Sequence, residues 1–354
     1  MTLAHASSAQ PRATEPWADR GLADVVHGFD GLRFLSGELA ELASRCGTPA
    51  TARPPWVLAT LALEPDGQPF GVLVRDSTGL LEGAALLVST TTSTYGSVQE
   101  FVQLAGSSPG HRGALLASSP GAAHRLGVAL STVLASGPPG YHLHLGPLDS
   151  SCQVAGALAE ALPGVVRTPT DPVPVVRRAP GESSSDYLSA NMQRTLRKAT
   201  NRLRRDGREL TVRFTKDRVR IARLLPELET THRDRDHARG RNSDLGDGNA
   251  RLIWHARMRA LADEGSLELA VARIDGQLAA YVLGITDRPT YRVLEGHMVT
   301  EWSRYAPGRV LEWAVLRRVL DDRSYDTLDW MTSVASDTLL AANDRDRMVT
   351  LRKD

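Results

Sequence analysis

Two cysteines, Cys46 and Cys152, are all the thiol that this 354-residue chain carries. They stand far apart, which excludes a disulfide scaffold and any CxxC zinc site. Lysine is scarce as well. Of 42 basic residues only Lys198, Lys216 and Lys353 are lysines, an imbalance that fits GC-rich coding better than an arginine-based function. No stretch approaches the ~18 consecutive apolar residues of a membrane span, so no membrane partner is expected. The opening MTLAHASSAQPRATEPWADRG lacks the basic start and apolar run of a secretory signal, and a cytoplasmic protein is expected.

What is present is globular material. With 42% hydrophobic and 23% charged residues, a mainly disordered chain is excluded. At about 150 residues per domain the length predicts two domains, or one large one. The net charge of +1 conceals a concentration: between Asn191 and Arg223 twelve basic residues face only Asp206, Glu209 and Asp217, a local charge of +9. Charge so localised speaks about partners.

Along the chain, a loose leader gives way to a helical pattern with Leu32, Leu35, Leu39 and Leu42 on one face. WVLATLAL (56–63) reads as a strand, followed by a Glu64-Pro65-Asp66-Gly67 turn and the strand-like runs FGVLV and AALLVSTTT. A helix at 121–136, a strand at 141–148 and a short helix at 153–162 follow. The Pro-, Ser- and Gly-rich stretch 168–186 reads as the junction, giving a first half over 1–170, a junction over 171–185 and a second half over 186–354.

The second half opens with a basic amphipathic helix. Leu188, Met192, Leu196, Ala199 and Leu203 form its apolar stripe, and Arg194, Arg197, Lys198, Arg202 and Arg205 lie largely outside it. A strand at 209–215, a helix around 219–232 and a polar loop over 233–249 come next, then a helix over 250–263. The strands LELAVARI, QLAAYVLGIT and TYRVLEGHM, a helix after Pro307 and a strand TLDWMT close the pattern. LALEPDGQPFGVLV and VARIDGQLAAYVLG share a strand–DGQ–strand reading, which chance explains as well as an internal repeat does.

Four features in order, MQRTLRKATNRLRRDG, ELAVARIDGQLAAYVLGI, TYRVLEGHM with SRYAPGRVLEWAVLRRVL, and TLDWM, resemble the GNAT acyltransferase superfamily in its BioF2-like or FemAB-like branch of tandem halves. The resemblance covers roughly 186–332. It implies an α/β (α+β) fold of two tandem GNAT-like halves, each a mixed, mainly antiparallel sheet flanked by helices, the first half degenerate. The tail SVASDTLLAANDRDRMVTLRKD lacks the Tyr-Lys pair expected in that branch.

The residues Arg304, Ala306, Pro307, Gly308, Arg309 and Val310 surround a helix start. A proline at the first helical position, a glycine that admits a ligand, and the helix dipole together suit an anion such as a pyrophosphate. The resemblance implies CoA pyrophosphate there, although only one glycine of the usual loop remains. Amine acylation needs a base near the attacking nitrogen and a proton source for the leaving group. Glu295 and His297, two apart on one strand and so on one face, are the candidate bases. Asp329 on the neighbouring strand is the candidate for orienting the acceptor, and Tyr281 and Tyr305 are candidate proton donors. His232, Asp234, Asp236 and His237 crowd the 233–249 region, but Arg233, Arg235 and Arg239 interrupt them. That segment reads as a solvated loop or an acceptor lid, and no metal site is expected. His142 and His144 read as a structural pair.

The expected activity is N-acyl transfer from acyl-CoA (acetyl-CoA) to a small-molecule amine. Fem-type relatives take aminoacyl-tRNA instead, and Arg194, Arg197, Lys198, Arg202 and Arg205 would then grip the tRNA backbone. No aromatic interleaving supports single-strand stacking in that helix. A non-catalytic RNA-binding or scaffold protein on a decayed transferase fold is the remaining alternative. The acceptor, whether cell-wall precursor, sugar amine, polyamine or intermediate of a specialised metabolite, is not readable. A monomer is the default, with a weak homodimer as the other option.

Overall fold

A computed structural model describes residues 23–64, 66–94, 97–108, 110–331 and 339–354. The leader 1–22 and residues 332–338 of the tail lie outside the described residues. In chain order the first half contains β1 (Asp24–His27), α1 (Gly28–Phe34), α2 (Ser36–Arg45), α3 (Pro54–Leu61), β2 (Gly67–Arg75), β3 (Leu81–Thr94) and β4 (Ser97–Leu104). A short β5 (Leu116–Ala117), α4 (Pro120–Ala135), β6 (His142–Asp149), α5 (Gln153–Ala161) and β7 (Val166–Arg177) follow. The second half contains α6 (Ala190–Arg205), β8 (Leu210–Thr215), α7 (Arg218–Ala238), α8 (Gly248–Asp263), β9 (Leu267–Ile274), β10 (Gln277–Asp287) and β11 (Thr290–Met298). It ends with α9 (Pro307–Asp321), β12 (Thr327–Asp329) and β13 (Asp344–Lys353). Among the described residues no helix is long and apolar enough to cross a membrane.

One mixed sheet runs β1-β2-β3-β4-β6-β13-β7-β12-β11-β10-β9-β8, with β5 beside β3. Read outward from its centre, each half repeats the same plan. Antiparallel strands (β2, β3, β4; β9, β10, β11) lead through a helix (α4; α9) to a strand laid parallel to the last of them (β6; β12). The final strands are exchanged. β7 of the first half pairs with β12 of the second, and β13 of the second half pairs with β6 of the first. The internal repeat is therefore real in topology, but it matches β2 with β9 and β3 with β10. The similar DGQ segments fall on β2 and β10, and their likeness is not the repeat.

Three readings are corrected. WVLATLAL is helix α3, not a strand. Pro54 and Pro55 occupy its first turn, and Pro54, Trp56, Val57, Thr60 and Leu61 are buried, so the apolar run is a buried helix surface that strand-like composition mimics. The expected loop after residue 232 is helical to Ala238, because the apolar stripe Ile221, Leu225, Leu228 continues into buried His232 and Asp236. The expected junction begins as a strand. β7 is paired with β12 only over Val175–Arg177, so its upstream prolines sit where one ladder is missing, as proline requires.

The apolar faces of α1, α2, α3, α7 and α8 form one continuous core on one side of the sheet, spanning both halves. α4 and α5 cover the other side of the first half; α9, with α6, covers that of the second. The halves are also joined by α3 against α8, where the Arg257 guanidinium lies 4.6 Å over the Trp56 ring and its Nε donates to Thr60 at 2.8 Å. A chain of alternating charges completes the joint: Arg112 to Asp329 at 2.8 Å, Asp329 to Arg292 at 3.3 Å, Arg292 to Asp287 at 2.7 Å and Asp287 to Arg53 at 2.9 Å.

Candidate active site

The site begins where β11 leaves its parallel neighbour. β12 pairs with Thr290, Tyr291 and Arg292 alone. Among the described residues, Val293 to Met298 have no ladder on that side, which leaves a gap in the sheet. On the other side the register with β10 shifts, so that Gly284 faces Val293 while Leu283 faces Glu295, with Leu294 the extra residue of a bulge. Gly284 is required here because a Cβ would overlap the Tyr291 ring. The bulge places Glu295 beside Leu294 on the side of α7 and α8, against Trp254 and Tyr281.

Around Glu295 the donors converge. Tyr281 donates its hydroxyl to Oε1 at 2.8 Å, and Trp254 Nε1 donates to Oε2 at 3.0 Å. His232 Nδ1 lies 3.7 Å from Oε1, beyond hydrogen-bond reach, and is buried with no partner. The same ring's Nε2 is 3.3 Å from Asp236 Oδ2, one helical turn on, and Arg241 donates to Asp236 at 2.5 Å. The His297 ring stacks on His232 with centroids 3.9 Å apart. Burial opposes the Glu295 charge, but the nearby His232 ring, with His297 and Trp254, outweighs it and brings the carboxyl down to about 2. Burial also lowers His297, to about 4, against the pull of Glu295. His232 is likewise penalised by burial, yet Glu295 and Asp236 raise it above the usual imidazole range. Burial first, then the Glu295 charge, push Tyr281 well above an ordinary phenol. At neutral pH the site therefore holds a fixed anion, a neutral imidazole at His297 and a neutral hydroxyl donor.

The predicted anion site is the start of α9. Ala306 precedes it in the left-handed region (φ 48°), Pro307 is the first helical residue, and no side chain caps the turn. Among the described residues a Cβ on Gly308 would meet only Met298, at 3.7 Å, so their packing does not need a glycine there. The equivalent helix of the first half, α4, also starts Pro120-Gly121, but Ser119 accepts the Ala122 N–H at 3.1 Å and closes that turn itself. Arg304 and Arg309, expected to add charge, are already engaged. Arg304 pairs with Asp206 at 2.6 Å and Arg309 with Glu312 at 2.7 Å.

The structure brings Glu295 and His297 together, and Tyr281 with them. It places two other candidates elsewhere. Tyr305 is buried and gives its hydroxyl to Asp206 at 3.0 Å, which fastens the end of α6 to the loop before α9. Asp329 is buried in the charge chain between Arg112 and Arg292. Its expected role of orienting an acceptor gives way to joining the halves. On α6, Arg194, Arg197 and Lys198 are exposed, whereas Arg202 donates to the Arg304 carbonyl at 2.7 Å and Arg205 pairs with Asp206 at 3.0 Å. His142 stacks on Phe101, as a structural residue does. Sequence reasoning missed His232 and Trp254 as members of the site. The available signal was the spacing of three and four residues that carries Leu225, Leu228, His232 and Asp236 along one face of α7.

Residues 190–337 match the family model of the acetyltransferase (GNAT) domain. The chain is similar in fold to FemX, at TM-score 0.58 and 10% identity, over 89% of this chain and 90% of that one. It is similar to L-PGS from Bacillus licheniformis, at TM-score 0.50 and 13% identity, over 90% and 92% of the two chains. A conserved protein from Bacteroides thetaiotaomicron gives TM-score 0.51 and 12% identity, over 92% and 98%. No curated protein matches the sequence. At these identities the likeness is one of fold: mixed α/β around one large sheet, built as in FemX.

Proposed function

We propose that the chain transfers an acyl group from acyl-CoA, acetyl-CoA being the simplest, to the amine of a small acceptor. The observation that carries this reading is the pair Glu295 Oε1 and His232 Nδ1. In the neutral ring with its proton on Nε2, 3.3 Å from Asp236, His232 presents a lone pair at Nδ1, so two acceptors face each other at 3.7 Å. A positively charged N–H donor between them satisfies both, and an alkylammonium is that donor. Glu295 holds the charge, and His232 takes one proton to free the nitrogen lone pair before it attacks. The N–C bond forms, the thioester C–S bond breaks, and the departing CoA thiolate takes the second nitrogen proton and leaves as the thiol. The uncapped α9 start takes the donor's pyrophosphate, and the gap beside β11 admits the pantetheine arm.

Acetyl-CoA titrated into the purified chain, and into a Gly308→Trp variant, tests the donor half of this reading. Binding by the first and none by the second is expected. Equal binding by both contradicts the assignment of the α9 start.

One observation favours a second donor. The exposed Arg194, Arg197 and Lys198 belong to the helix whose Arg202 holds the loop before α9. A long polyanionic carrier such as aminoacyl-tRNA would cross both surfaces. Replacing Arg194, Arg197 and Lys198 by Glu would abolish salt-sensitive tRNA binding on that reading, and would leave acetyl-CoA binding unchanged on the first.

A further inference from the structure

We propose that His232, Glu295 and His297 form a binding site for one divalent transition-metal ion of the zinc type. One ligand atom from each of the three lies within 4.8 Å of the others. Tetrahedral zinc with ligands at about 2.0–2.2 Å needs them about 3.4 Å apart, and His232 Nδ1 and Glu295 Oε1 stand at 3.7 Å already. His297 completes the set by turning out of its stack on His232. Among the described residues, neither ring nitrogen of His297 makes a hydrogen bond that this movement would break. Two imidazoles and one carboxylate are a borderline donor set, suited to zinc, cobalt or nickel rather than magnesium or calcium. Three protein ligands also leave a position open to water.

The surroundings are those of a ligand set rather than of three chance neighbours. Asp236 lies 3.3 Å from His232 Nε2, which favours a proton on that nitrogen and leaves Nδ1 towards Glu295. Tyr281 and Trp254 hold one carboxylate oxygen each, orienting Glu295 without consuming all its lone pairs. Such outer partners accompany metal-binding histidines and carboxylates. The buried Nδ1, without a hydrogen-bond partner among the described residues, is the second sign, since a desolvated polar atom left unsatisfied costs free energy that an ion recovers. Two of the nearby arginines have acidic partners: Arg233 is drawn to Glu229 at 3.5 Å, and Arg241 to Asp236.

The site is tested on the full, tag-free chain after stripping with EDTA. Zn²⁺ is titrated by calorimetry, and Co²⁺ is followed by its visible absorption. The expected result is one ion per chain, with the intense spectrum of four-coordinate Co²⁺. Binding should be lost in His232→Ala, Glu295→Gln and His297→Ala, and weakened about 10–100-fold in Asp236→Asn. His144→Ala should bind as the parent does, with folding of every variant checked by circular dichroism. A parent chain without saturable binding would overturn the site, as would binding that survives in His232→Ala and His297→Ala. Because the readout needs neither donor nor acceptor, its outcome is independent of the acyl-transfer reading.

Discussion

Ser119 and Ala306 hold equivalent places in the two halves, each the residue before a Pro-Gly pair that starts the helix between two parallel strands. Ser119 is extended and closes its helix with its own hydroxyl, while Ala306 is left-handed and caps nothing. The topological repeat thus carries one sealed and one open helix start. The open one adjoins the Glu295 cluster through Met298, which ends β11 and faces Gly308.

Ser119→Ala should therefore cost stability and nothing else. Losing an N-cap is worth about 1 kcal/mol, read as a lower urea midpoint at unchanged slope. Acetyl-CoA affinity should stay that of the parent. A large loss of donor binding would place a ligand at α4 and contradict the asymmetry.

Asp329→Ala should act on the joint between the halves. Removing one member of a buried ion pair strands its partners, here Arg112 and Arg292, at a cost of about 3–5 kcal/mol. Arg112 retains Asp346 at 2.6 Å and Arg292 retains Asp287, so the lower end is expected. Urea denaturation measures it. A variant of parental stability with a raised KM for the acceptor would restore Asp329 to the acceptor site.

His232→Ala and Glu295→Gln should each reduce acyl transfer to an amine by about 10²–10⁴-fold in kcat/KM, with acetyl-CoA affinity little changed. Single-turnover assays on a panel of amines read this. His297→Ala should lower transfer less, because the ring stacks beside the ammonium position without facing the Glu295–His232 pair. Parental transfer by His232→Ala would remove that residue as the proton acceptor.

An ion on His232, Glu295 and His297 occupies the lone pair and the charge that the amine needs. Added Zn²⁺ should therefore inhibit transfer, and EDTA should restore it, with His297→Ala the least sensitive of the active variants. Transfer unaffected by saturating Zn²⁺ would show that metal and amine do not share these groups.

The order of elements in the second half was legible because hydrophobic periodicity and turn residues agreed there. Strand β9, the Asp275-Gly276 turn and strand β10 fall where alternation and the turn signal put them. Glu295 and His297 were legible as a same-face pair on a strand. α3 was not, because WVLATLAL is apolar on nearly every residue and period cannot separate a buried helix from a strand. His232 was hidden by the charged residues that follow it, which look like a loop while the other side of the helix is still buried. The exchange of β7 and β13 was beyond any local signal, since strand pairing across some 150 to 200 residues leaves no mark on composition. Asp329 looked like a site residue for the same reason: its partner Arg112 is supplied by the other half.

The most direct measurement compares acetyl-CoA with bulk charged tRNA as ligands of the freshly purified chain, titrated at low and moderate salt. The account predicts micromolar acetyl-CoA binding with little salt dependence, abolished by Gly308→Trp. Tight tRNA binding that fades as salt rises, with acetyl-CoA silent, would contradict it and make α6 the donor surface.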